Sequence, residues 1–128
     1  MTSTAAEAAT SYQRTFPGRP EQVRRVRHEL ACYLAGCPAA DDAILIASEL
    51  ATNAIVHSAS HGQFFTVRCH ASPGHLRIEV EDLGGPWQPH PSADRPHGLD
   101  IIAALTTVGA SGINGDRTGR TAWARLTW

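Results

Sequence analysis

Hydrophobic positions along the chain change their period several times, and each change marks an element. In residues 20–36, Val23, Val26, Leu30, Tyr33 and Leu34 recur at three and four residues, which predicts one buried face of a helix. Pro20 suits the first helical position, and Gly36 and Pro38 stop the pattern. Residues 40–58 predict a second helix. Asp41 and Asp42 lie near its start, where acids complement the helix dipole. Ile44, Leu45, Ile46, Ala47, Leu50, Ala51, Ala54 and Ile55 make it apolar around much of its circumference, which predicts deep burial. His61 and Gly62 end it, and the period falls to two. Residues 64–70 put Phe65, Val67 and Cys69 on one face, and 76–82 put Leu76, Ile78 and Val80 on one face against Arg77, Glu79 and Glu81. With Ser72, Pro73 and Gly74 between them, they predict a hairpin with one wet face.

The remaining segments are less regular. Residues 11–17 alternate weakly and predict a short edge strand before the Pro17-Gly18 turn. Residues 83–97 hold four prolines and two glycines without periodicity, a long loop of the kind usually tied to function or disorder. Gly98-Leu99 opens a third helix to about Thr107, and residues 107–114 and 121–128 predict two final strands joined by a Gly/Asp-rich turn. The sum is an α+β fold: a two-layer α/β sandwich, with a mostly antiparallel sheet and helices on one face. Residues 1–9 read as a small-residue tail and 10–128 as a single domain.

Composition narrows the chemistry. The chain has 128 residues, a formal net charge of −1 and eleven basic residues. All of these are arginine, so a Walker-type phosphate loop and Schiff-base catalysis are excluded for want of a lysine. The charge balance gives little support to direct nucleic-acid binding. No stretch approaches the ~18 apolar residues of a membrane span, and no signal-peptide pattern opens the chain. Cys32, Cys37 and Cys69 are odd in number and lack a CxxC spacing, which points to reduced thiols in a cytoplasmic protein rather than to disulfides or zinc. The seven histidines are scattered; His57 and His61 share a helical spacing but lack the HExxH pattern of a metal site.

Glu49, Asn53 and His57 lie four apart on the second helix. Each step of four advances about 40° past a full turn, so the three form one stripe roughly 80° wide. Polar groups interrupting an apolar helix need partners, and the stripe points to a ligand cavity, against the plainer reading of a solvated surface line. Asp82 continues the Leu76, Ile78, Val80 row, so its carboxylate turns to the core side as the strand ends. Gly84 and Gly85 follow and let the backbone pass close to another group. Gly98-Leu99 at a helix start offers backbone N–H groups to phosphate. Gly119-Arg120-Thr121 leads into the last strand.

Taken in order, E-L-A-T-N-A-I-V-H, E-D-L-G-G, H-G-L and G-R-T-A-W-A-R-L resemble the GHKL ATPase superfamily. More narrowly, they resemble the stand-alone anti-sigma-factor serine/threonine kinases of bacterial regulatory switches. The resemblance spans about residues 11–128 and implies a histidine-kinase-like ATP-binding domain with the nucleotide between helices and sheet. It implies ATP and Mg2+ as ligands. Asn53 matches the magnesium-binding asparagine, Glu49 the proposed general base, and His57 the end of that motif. Asp82 matches the residue that bonds the adenine amino group, with Gly84 against the base. Gly98 and Leu99 match the phosphate-side glycine motif, and Thr121 the threonine at the base of the pocket. Pro96 and Pro86 stand where the family pattern has glycines, and a proline has no N–H to donate. Two functions follow: an anti-sigma factor that phosphorylates an anti-anti-sigma (STAS-type) partner, or a nucleotide-binding interaction module without transfer activity. The implied partners are a sigma factor and the STAS-type protein, docked through the helix carrying Arg24, Arg25 and Arg27, or that arginine run is simply a solvated face. Whether two copies of the chain pair as a homodimer stays open.

Overall fold

The computed structural model describes residues 10–85, 110–116 and 118–128. Strand β1 (Thr10–Pro17) leads to helices α1 (Gln22–Tyr33) and α2 (Ala40–His57). The hairpin β2 (Phe64–Ser72) and β3 (His75–Asp82) follows, then β4 (Ser111–Asp116) and β5 (Gly119–Thr127). The expected tail (1–9), the third helix (98–107) and most of the 83–97 loop, with Pro86, Pro96, Gly98 and Leu99, lie outside the described residues.

The five strands form one antiparallel sheet in the order β1-β2-β3-β5-β4. β1 lies at an edge, as its weak alternation predicts. Helix α2 packs across β2, β3 and β5, and α1 packs against α2 and β1. Two layers result, and the core lies between them. Cys69, Ile78 and Ala124 sit side by side on adjacent strands, as do Val67, Val80 and Ala122. Val26 and Leu30 of α1, with Ala43, Ile46, Ala47, Leu50, Ala51, Ala54 and Ile55 of α2, close over this face. The alanines let the helix approach the sheet closely, while Leu45 and Val56 remain exposed on its outer side.

Some boundaries differ from the sequence reading. Helix α1 starts at Gln22, with Glu21 as its N-cap. Pro20 belongs to the turn before it, in which the N–H groups of Gln22 and Val23 donate to the carbonyls of Arg19 and Pro20. The helix ends at Tyr33, and the chain turns through Gly36 at φ +85°. Strand β4 runs to Asp116, past the expected end at Asn114, because it pairs with β5 up to Gly119. There Asp116 accepts hydrogen bonds from the N–H and hydroxyl of Thr118 and closes the turn.

The far face of the sheet is polar. Glu79 accepts hydrogen bonds from Arg68 at 2.9 Å and Arg77 at 2.6 Å. Arg68 also pairs with Glu81, and the Arg77 guanidinium lies 4.3 Å from the centre of the Trp123 ring. This is the wet face that the alternation predicts.

Candidate functional site

At the end of the sheet where β3 stops, the inward row changes from apolar to charged. Asp82 follows Val80 in that row, and the register sets Arg120 of β5 directly beside it. Both side chains are mostly buried, at 12% and 14% exposed. They line a narrow recess, with about 20 Å³ of free volume, together with Leu50, Asn53 and Ala54 of α2, Val80 and Ala122 of the sheet floor, and Ile113 of β4. Helix α2 is the roof, the sheet is the floor, and the polar groups reaching in are Asp82, Arg120 and Asn53.

The chain beyond Asp82 folds back on it. Gly84 adopts φ +73°, a conformation that disfavours a side chain, and its N–H donates to Asp82 Oδ1 at 2.6 Å. The Gly84 carbonyl accepts from the Ala59 N–H at 2.9 Å and from Arg120 Nη2 at 3.1 Å. Ser60, fully buried, accepts the Leu83 N–H on its hydroxyl oxygen. Ser58 in turn accepts the Ser60 N–H and donates to the Ala54 carbonyl. The segment after α2 is thus stitched to the segment after β3, which fixes the roof relative to the floor. Burial pushes the Asp82 carboxyl above its ordinary value, and the Gly84 N–H and Arg120 pull it part of the way back.

Asn53 is half-buried, and among the described residues its Nδ2 has no hydrogen-bond partner. A buried amide without a partner is costly unless a ligand completes it. Assignment of the amide O and N follows from such contacts, so either atom can be turned toward a ligand. Among the described residues no group of three or more His, Cys, Asp or Glu side chains could cage a metal. One amide in a recess nevertheless suits magnesium, which commonly takes few protein ligands and completes its shell with phosphates and water.

The expected site residues are brought together only in part. Asn53 and Asp82 line the recess, and Gly84 binds Asp82 directly. Glu49 and His57 share the α2 stripe and are half-buried, but neither lines the recess. Thr121 is not brought to it. The register pairs Thr121 with Glu81 and Asn114, one step out of phase with Arg120 and Ala122, so strand alternation turns it to the far face. Gly98 and Leu99 lie outside the described residues. Ile113 and Ser60 went unnoticed in the sequence, and Arg120 was singled out there only as part of the entry to the last strand, without a role. Arg120 was within reach: counting by twos back from Leu126 through Ala124 and Ala122 places it on the core face.

A sequence profile for the histidine kinase-like ATPase domain matches residues 16–119. The chain belongs to the histidine kinase-like ATPase domain family. That membership implies ATP binding, and six of the eight residues that line the recess lie within the matched segment. No curated protein matches the chain. Among solved structures, the chain is similar to the RsbU and RsbW domains of Rv1364c from Mycobacterium tuberculosis, with a TM-score of 0.67 and 21% identity. The match covers 92% of this chain and 32% of that one, so this chain spans about a third of the length of the solved chain that it matches. At this identity the likeness establishes the fold. No helix among the described residues is long and apolar enough to cross a membrane.

Proposed function

We propose that this member of the histidine kinase-like ATPase family is an anti-sigma factor and a serine/threonine kinase acting on an anti-anti-sigma partner. The observation that carries the reading is the mostly buried Asp82 carboxylate on the floor of a recess whose roof holds the Asn53 amide, its nitrogen without a partner among the described residues. An ionised carboxylate only accepts hydrogen bonds, which matches the amino group of adenine. Gly84, folded back against Asp82, leaves its backbone beside the base. Asn53 would hold the magnesium ion, which when bound supplies neutralisation of the phosphate charge.

Glu49 lies one helical turn before Asn53 on the same stripe. Its role would be to take the proton of the acceptor hydroxyl as the partner's serine or threonine oxygen bonds to the terminal phosphorus and ADP leaves. His57, in the last turn of α2, would support the stripe. Gly98 and Leu99 would offer backbone N–H groups to the phosphates. The exposed Arg24, Arg25 and Arg27 would face the partners, a sigma factor and a STAS-type protein, in the cytoplasm. The RsbW domain named in the similar structure supports this partner-switch reading.

A second reading, a nucleotide-binding module without transfer activity, is favoured by two observations. Glu49 is absent from the recess lining, and Pro86 and Pro96 replace glycines of the family pattern. Incubation of the chain with labelled ATP, magnesium and a candidate anti-anti-sigma protein separates the two. Label on the partner, abolished by Glu49→Ala, is the expected result. Tight ATP binding with no label on any partner selects the module, and absence of adenine-nucleotide binding rejects both.

A further inference from the structure

At the floor of the recess one cation is built into the sheet, and the functional reading above gives it no task. Arg120 is inward-facing, 14% exposed, and held beside Asp82 by the β3–β5 register. Its Nη2 donates to the Gly84 carbonyl at 3.1 Å, and its Nε lies 3.7 Å from Asp82 Oδ1. The Gly84 N–H reaches the same Oδ1 at 2.6 Å. Gly84 by a hydrogen bond and Arg120 by an ion pair thus act on the same carboxylate oxygen. Both of these contacts are made on Oδ1.

We infer that Arg120 is a positioning residue that sets base selectivity: by fixing Asp82 Oδ1, it presents Oδ2 to the ligand as an acceptor and so favours a 6-aminopurine over a 6-oxopurine. The inference rests on the nucleotide reading of the recess. An arginine suits the task because its planar guanidinium binds two acceptors at once in a fixed geometry. Here it donates to the Gly84 carbonyl at 3.1 Å and forms an ion pair with the Asp82 carboxylate at 3.7 Å, so it lies against backbone and side chain at once. Without the cation, a carboxylate 12% exposed is free to turn, or to take up a proton and donate to a 6-oxo group. Among the described residues, the other ionisable groups toward this end are Glu81 beside Asp82 on β3, Asp116 at the end of β4, and Glu49 and His57 on the α2 stripe. None of them supplies a positive charge that must persist at neutral pH, so Arg120 has no substitute among the described residues.

The test compares ATP with inosine triphosphate, which differs at the 6-position of the base, by titration calorimetry on the full chain. Arg120→Met removes the charge and the donors. Arg120→Gln keeps an amide donor for the Gly84 carbonyl without the charge, and Arg120→Lys keeps the charge. The wild-type chain is expected to prefer ATP. Met and Gln variants with cooperative thermal melts are expected to lower the ATP-to-inosine-triphosphate affinity ratio roughly tenfold, the scale of one hydrogen bond to a charged group. Arg120→Lys is expected to restore most of the ratio. An unchanged ratio in a folded Met or Gln variant overturns the assignment, including the case in which both affinities fall together. A wild-type chain that binds neither nucleotide instead overturns the nucleotide reading on which it rests.

Discussion

Asp82 carries opposing demands in one side chain. Its burial disfavours charge, whereas its place beside Arg120 and the Gly84 N–H favours it, and burial wins: the pKa is raised. Two pH dependences of opposite sign follow. The ionised form is the acceptor, so ATP affinity is expected to fall as pH drops through a midpoint above the ordinary aspartate value of about 4. Titration calorimetry across that range checks it, and Asp82→Asn should weaken ATP binding at neutral pH by roughly tenfold. For folding the sign reverses. The native state holds the Asp82 proton more tightly than the unfolded chain, so its contribution to stability is present below the unfolded pKa and lost as pH rises through the folded one. Gly18 is a second residue with no latitude. A Cβ there would lie 1.9 Å from the Ser60 carbonyl oxygen, in backbone that also bonds Gln63 and Gly62. Gly18→Ala is expected to cost about 2 kcal/mol or more through backbone displacement, seen as a lower midpoint in urea.

At the scale of elements, the β2–β3 hairpin is held by packing on its inner face and by charge on its outer one. Burial alone would raise the Glu79 carboxyl, but its hydrogen bonds with Arg68 and Arg77 outweigh this and hold it below its ordinary value. A lowered carboxylate pKa stabilises the fold above the unfolded value, and that contribution is lost as pH falls through the folded one. Glu79→Gln is therefore expected to cost about 1 kcal/mol at neutral pH, allowing for solvent screening of side chains 16–34% exposed. It should also flatten the loss of stability on the acid side, as thermal melts between pH 3 and pH 7 (about the range that spans ordinary carboxylates) would record. The elements themselves were legible. Period two placed Leu76, Ile78 and Val80 inward, and period 3.6 placed Val26 and Leu30 in the core. Their ends were less so. Whether Pro20 begins a helix or closes the turn before it depends on where Arg19 and Pro20 can accept hydrogen bonds, which composition does not encode.

Across the whole molecule, the recess is the junction of three segments distant in sequence: α2, the end of β3 and the β4–β5 hairpin. A ligand that binds there joins roof to floor and must stabilise the native state. Magnesium and ATP at 100 times the dissociation constant are expected to add about 2.7 kcal/mol, measured as a rise in melting temperature. Asn53→Ala is expected to remove the part of that rise that depends on magnesium, which chelation in the wild-type chain should reproduce. A rise insensitive to both would assign the metal to other groups. The absence of lysine belongs to this scale as well. With no lysine in the chain, phosphate charge has to be met by the metal, by backbone N–H groups and by arginine.

The sequence by itself determined the elements and their buried faces, because the periods of helix and strand are local properties of the backbone. It also carried the motif order that marks the family, and with it Asn53 and Asp82. Only the tertiary structure decided which polar groups meet. β3 pairs with β5 rather than with the strand that follows it, and that adjacency sets Arg120 beside Asp82 and turns Thr121 away. Strand adjacency is settled by packing across the whole sheet, and a shift of one residue in register exchanges the two faces. That nonlocal choice turned an aspartate at the end of a strand into a mostly buried carboxylate held beside Arg120 and the Gly84 N–H.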